Sequence, residues 1–201
     1  MNSQIKAIFF DIGGTLLLKN HKQTRDLEKI QKMMDLLQVT VPIEQFANQI
    51  IEKEQEYKLW ARQTLSEENL SDRWVRFLGD PCDVNLIRLN AEQLHNLWTA
   101  SKGEKHVDPE AFPVLNELVN RGYKIGTISH TSPKYIQETG IVELLSTSIH
   151  AIKFGRRKPH PSLFLAAANQ CGFTPQECAY VGDRPSRDVI GSREAGIGLL
   201  S

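Results

Sequence analysis

The strongest constraint on the fold is a change of pattern along the chain. A single apolar run, Ile5 to Phe10, is followed from Lys22 to about Ala100 by a stretch in which no strand pattern occurs and apolar residues recur at helical spacing. Ile30, Met33, Met34 and Leu37 follow the i, i+3, i+4, i+7 rule, and Phe46, Ile50, Tyr57 and Trp60 line a second face. Trp74, Phe77 and Leu78 continue the theme behind a capping box read at Thr64 to Glu67. Ile87, Ala91, Leu94, Leu97 and Trp98 form a fourth helix behind Asp83. Four helices make a small bundle, so the first strand is separated from its sheet partners by an all-helical insertion.

After the polar stretch Ser101 to His106 the chain alternates helix with strand. The apolar segments Tyr123 to Ile128, Ser148 to Ile152, Cys178 to Val181 and Ile197 to Leu200 read as strands. Gly122, Gly172 and Gly196 stand where helices stop, and Asp108-Pro109 and Pro161 where they start. This alternation predicts an α/β fold: a doubly wound, Rossmann-like parallel sheet with helices on both faces. The expected division is a core of residues 1–18 and 102–201 with a helical domain of residues 19–101. Ile197 to Ser201 is the last strand read, and its sheet edge is expected to be open or covered by a partner chain.

A chain of 201 residues with 40% hydrophobic content buries a sizeable core. Lys plus Arg equals Asp plus Glu at 24 each, so no global field favours nucleic acid or an anionic membrane. The three cysteines, Cys82, Cys171 and Cys178, lack metal or redox spacing and fit a reducing compartment. The start of the chain does not read as a signal peptide, and no apolar stretch is long enough to span a bilayer. A soluble cytoplasmic protein is expected, of undetermined oligomeric state.

In a doubly wound sheet, ligands bind outside the carboxyl ends of the strands. Those ends carry Asp11, then Ser129-His130-Thr131, then the segment Lys153 to Pro159, then Gly182-Asp183. Asp11-Ile12-Gly13-Gly14-Thr15 serves either as a nucleophile toward phosphate or as a cradle for nucleotide phosphates, with Gly14 and Thr15 against the substrate. Asp183 and Asp188 place two further carboxylates beside Asp11. Three such groups repel unless a hard cation such as Mg²⁺ relieves them, with the Gly13 carbonyl as an additional ligand. Lys158 supplies a point charge for a transferring phosphoryl group, and Ser129 a hydrogen bond to its oxygens. His130 is a further substrate contact. These parts support phosphoryl transfer through an aspartyl-phosphate on Asp11.

The four segments, Asp11 to Thr15, Ser129, Lys158-Pro159 and Gly182-Asp183 through Asp188, resemble in order the motifs of the haloacid dehalogenase-like (HAD) hydrolases. The resemblance covers nearly the whole chain. It implies that residues 19–101 are a helical cap closing over the site, and that the chain is a Mg²⁺-dependent phosphatase acting on a small phosphorylated molecule. The departure is Gly13, where phosphatases of the family carry a second Asp as general acid and base. Loss of such catalysis typically costs roughly 10²- to 10⁴-fold. Family members that cleave carbon-halogen bonds also lack that Asp but do not use Mg²⁺, so Asp183 and Asp188 favour a phosphorus-containing substrate. Phosphonate cleavage would need a cap lysine, and Lys22, Lys53 and Lys58 are not distinguished by spacing. His21 and His130 are the nearest substitutes for the missing acid. Two rivals remain: a scaffold that keeps the fold without efficient turnover, and a kinase of the actin and hexokinase type, whose phosphate loop also reads Asp-x-Gly-Gly-Thr.

Overall fold

The computed structural model describes residues 4–20, 25–79, 82–103, 105–130 and 133–199. The expectations placed on His21, Lys22, Thr131 and Leu200 lie outside the described residues. The chain forms two compact units, Met1–Leu18 with His106–Ser201, and Lys19–Lys105.

In the first unit, strand β1 (Ala7–Phe10) is followed by β2 (Leu17–Lys19), which runs into the second unit. The chain returns through β3 (Lys105–Val107) to helix α5 (Ala111–Asn120), β4 (Lys124–Ser129), α6 (Pro133–Gln137), β5 (Thr147–His150), α7 (Ala151–Phe154), α8 (Ser162–Cys171), β6 (Cys178–Val181), α9 (Ile190–Glu194) and β7 (Gly198–Leu199). The five-stranded sheet has the order β5-β4-β1-β6-β7, and all of its pairings are parallel. β2 and β3 pair separately.

Every residue of β1 is buried, and successive side chains enter opposite faces. Ala7 and Phe9 pack with Ile128, Leu163, Phe164, Ala167 and Tyr180 on one side. Ile8 and Phe10 pack with Leu115, Ile125, Ile136, Ile141 and Ala179 on the other. This double burial explains why β1 reads as an unbroken apolar run rather than an alternation. The winding reverses at β1, with β4 and β5 to one side and β6 and β7 to the other, which is where such sheets open a crevice for ligands.

Two local expectations are corrected. The strand expected at Ser148 to Ile152 stops at His150, because Ala151 and Ile152 are buried as the helical turn α7. That turn is closed by the bond from Gly155 N–H to Ala151 C=O, with Gly155 at φ 78°. Short apolar runs carry no periodicity that separates the two outcomes.

The second unit holds α1 (Leu27–Leu37), α2 (Ile43–Thr64), α3 (Leu70–Leu78) and α4 (Val84–Ser101). They close around Ile30, Met33, Phe46, Ile50, Trp74, Leu94 and Trp98. α4 starts at Asp83, whose Oδ1 accepts from Asn85 N–H at 2.7 Å. The capping box expected at Thr64 to Glu67 is the second correction. Thr64 is the last residue of α2 and its hydroxyl donates back to Trp60 C=O, while α3 is capped by Asn69, which accepts from Asp72 N–H. Glu67 is instead a buried acceptor for Tyr57 and Arg73. No helix among the described residues is long and apolar enough to cross a membrane.

Candidate active site

Asp11 is fixed by the sheet itself, since its N–H donates to Val181 C=O at 2.8 Å, one step beyond the β1–β6 ladder. Its buried carboxylate meets Lys158, whose Nζ lies 2.7 Å from Asp11 Oδ1, 2.7 Å from Asp188 Oδ1 and 2.7 Å from the Tyr180 hydroxyl. The ammonium donates to Asp11 and to the Tyr180 hydroxyl and is paired by charge with Asp188. Burial raises the Asp11 pKa, Lys158 opposes that rise by charge and hydrogen bond, and the neighbouring Asp188 adds to it. Among the basic residues of the segment after β5, Lys153 and Arg156 are exposed, and it is Lys158 that reaches the site. The Lys158–Pro159 peptide is cis.

Asp188 is held from every side. Its Oδ1 takes Lys158 and the Tyr180 hydroxyl, and its Oδ2 takes Arg184 N–H at 2.9 Å across the π-helical turn Pro185–Val189. The chain after β6 admits this carboxylate because residue 182 is glycine: a Cβ there would fall 2.5 Å from Asp188 Cγ. Gly14 does the same for the third carboxylate. Its φ is 94°, and a Cβ would fall 2.6 Å from Asp183 Oδ2.

Asp11, Asp183 and Asp188 offer carboxylate oxygens that all lie within 4.8 Å of one another. Such an all-oxygen set, with one lone pair of Asp188 Oδ2 uncommitted, suits a hard divalent cation. Beside it a cavity of about 160 Å³ is lined by Asp11, Gly13, Ser129, His130, Lys158, Arg184, Arg187 and Asp188. That is roughly five water volumes, enough for a phosphoryl-sized group.

Of the residues singled out in the sequence, Asp11, Gly13, Ser129, His130, Lys158 and Asp188 thus converge on one cavity, with Asp183 joining the carboxylate cluster. Gly14 and Thr15 are not among the lining residues. Gly14 makes room for Asp183, and Thr15 Oγ1 is buried with no hydrogen-bond partner. His130 Nε2 accepts the Lys158 backbone N–H at 2.9 Å, and its Nδ1 lies 3.5 Å from Arg187 Nη1. Sequence reasoning missed Tyr180, Arg184 and Arg187. Tyr180 sits inside an apolar strand, where its hydroxyl gives no signal, and the two arginines stood in plain view between Asp183 and Asp188.

The chain matches the haloacid dehalogenase-like hydrolase family over residues 5–196 and belongs to it. It is therefore a hydrolase by family. It is 25% identical over 202 residues to a glyceraldehyde 3-phosphate phosphatase of Methanopyrus kandleri, covering 96% of this chain and 82% of that protein. It is 34% identical over 93 residues to a phosphoserine phosphatase of Thermus thermophilus, covering 44% of this chain and 37% of that one. Among solved structures, a 2-haloacid dehalogenase from Pseudomonas syringae pv. Tomato shares the fold with a TM-score of 0.68 at 20% identity, covering 98% of this chain and 85% of that one. A HAD phosphatase from Thermococcus onnurineus does so with a TM-score of 0.59 at 22% identity, covering 97% and 85%.

Proposed function

We propose that this chain hydrolyses small phosphate monoesters through a covalent phosphoryl group on Asp11. The observation that carries the reading is the cluster of Asp11, Asp183 and Asp188 beside a phosphoryl-sized cavity. Phosphatases among its relatives support it. Asp11, the Gly13 carbonyl and Asp183 would hold Mg²⁺, with Asp188 supporting it directly or through water. The bound ion would supply positive charge that screens the carboxylates from the phosphate.

Lys158 holds Asp11 Oδ1, which leaves Oδ2 to attack phosphorus. The ester oxygen departs with the electrons of the broken P–O bond and takes its proton from solvent, because Gly13 has none to give. Water then attacks the phosphoryl-Asp11 bond and releases inorganic phosphate with the Asp11 carboxylate restored. Ser129 and Lys158 steady the phosphoryl oxygens, for which Lys158 gives up one of its three present contacts. Arg184 and Arg187 add positive charge at the rim. The residues 19–101 act as a cap that selects the substrate. The three free thiols fit a reducing, cytoplasmic setting.

The test is phosphate release from p-nitrophenyl phosphate. Asp11→Asn is expected to lower the rate by about 10⁴-fold or more, and EDTA to abolish it with recovery on adding Mg²⁺. Release unaffected by either treatment, or halide release from 2-haloacids in its place, would overturn the reading.

A further inference from the structure

The two side chains that steady the phosphoryl oxygens are anchored very differently. Ser129 is the last residue of β4 and stands in the parallel ladder, opposite His150 of β5. Lys158 lies past β5 and past α7, in a segment that belongs to neither strand nor helix. Its ammonium stands on a flexible four-carbon stem, so its position is only as exact as that of the backbone beneath it.

That backbone is held from two sides. From α9 it is pressed by close approach, since a Cβ at Gly191 would fall 2.7 Å from the Pro159 carbonyl oxygen. From the end of β4 it is held by a directed bond, the Lys158 N–H donating to His130 Nε2 at 2.9 Å. Pro159 has no N–H to offer, and the N–H of His160 is spent on a local turn to Arg157 C=O at 2.9 Å. The bond to His130 therefore ties this buried N–H to the neighbouring strand end. His130 directly follows Ser129, so a single residue joins the two groups that face the phosphoryl oxygens. The same ring reaches the chain after β6, where Nδ1 lies 3.5 Å from Nη1 of Arg187, the neighbour of Asp188.

We propose that His130 is a positioning residue that sets the spacing of Ser129 and Lys158 by holding the Lys158 N–H on its Nε2. The inference rests on the reading that these two side chains grip a phosphoryl group. Nε2 is committed to the protein, so the ring acts on the substrate through Lys158. A displacement of about 1 Å in such a group costs roughly 10²-fold in rate.

Two substitutions separate the ring nitrogens. The side-chain oxygen of His130→Gln reaches the place of Nε2 and accepts the Lys158 N–H, whereas that of His130→Asn reaches only the place of Nδ1. The first arm needs no turnover. In ¹⁵N-labelled native protein a scalar coupling is expected across the N–H···N bond, between the Lys158 amide and a His130 ring nitrogen. Exchange of that amide with D₂O should stay slow in His130→Gln and become about tenfold faster or more in His130→Ala and His130→Asn. Binding of inorganic phosphate to the Mg²⁺-loaded protein, followed by calorimetry, should weaken about tenfold in the alanine and asparagine variants and return to within about threefold in His130→Gln. In the second arm, kcat/KM for p-nitrophenyl phosphate follows the same order, with a loss of about 10²-fold in His130→Ala. His106→Gln, at an exposed position on β3, should change none of these. Equal Lys158 exchange in the native protein and His130→Ala, or equal behaviour of the glutamine and asparagine variants, would overturn the proposal. So would lowered thermal midpoints with phosphate affinity and kcat/KM unchanged, which mark a residue that only supports the fold. A native protein that releases phosphate from no ester, yet binds it in the order native, glutamine, asparagine, supports the role of His130 and overturns the hydrolase reading alone.

Discussion

Gly182 is the seat of Asp188: a side chain of even one carbon at position 182 would overlap the carboxylate that Lys158, Tyr180 and the Arg184 backbone hold in place. Gly182→Ala must push Asp188 out of three of its contacts at once. The expected result is a loss of phosphate release of about 10²-fold or more, with a stability loss of roughly 1–3 kcal/mol, typical of an overpacked interior. Steady-state assays and urea denaturation measure the two together.

Tyr180→Phe isolates the hydroxyl. The ring would keep its edge contact with Phe164, at 5.1 Å between centroids, while Lys158 loses one acceptor and Asp188 one donor. Leaving a buried charge with an unmet hydrogen bond costs about 1–3 kcal/mol. Denaturant titration should show that loss without a change in the slope of the transition.

Gly13→Asp restores a carboxyl group at the cavity wall. Alkyl phosphates, whose leaving oxygen needs a proton, are expected to gain roughly 10²-fold, and p-nitrophenyl phosphate much less. Paired rate measurements on the two esters give the ratio. An equal effect on both would show that departure of the alkoxide is not the step that Gly13 leaves unassisted.

A pH effect on stability is expected far from the cavity. Glu177 is held down to about 2 by Lys6 at 2.6 Å and by the N–H and hydroxyl of Thr174 at 2.9 and 2.8 Å. A carboxyl whose folded value lies below its unfolded one stabilises the protein at neutral pH. That contribution is lost as pH falls from the ordinary glutamate range near 4.5 toward 2. Glu177→Gln should therefore flatten the acid limb of a plot of stability against pH in that window and leave its shape unchanged above it.

The sheet was legible in the sequence because buried parallel strands leave unbroken apolar runs, and the four helices because their faces keep a 3.6-residue period. Asp11, Ser129, Lys158 and Asp188 were legible because strand ends are where such folds place their chemistry. What escaped was set by contacts distant in sequence. Nothing near residue 180 announces that a core tyrosine also completes the shell of an ammonium held from residue 158, and nothing near residue 14 tells that its glycine yields to Asp183. Thr64 to Glu67 has the letters of a cap, but α2 continues through Thr64 and Glu67 is claimed by Tyr57 and Arg73. Tertiary partners, rather than local preference, decided each of these.

The central place of β1 also sets the order of assembly. Ala7 pairs with Lys124 on one side and Cys178 on the other, so the strand that presents Asp11 has no partner until the whole helical unit and more has been synthesised. The helices close on neighbours near in sequence, a topology that forms quickly, whereas the sheet must first meet the entropy of closing long loops. In a chain emerging from the ribosome, Ala7 to Phe10 waits as an unpaired apolar segment, and a chaperone that binds extended hydrophobic peptides would find a target beside Asp11.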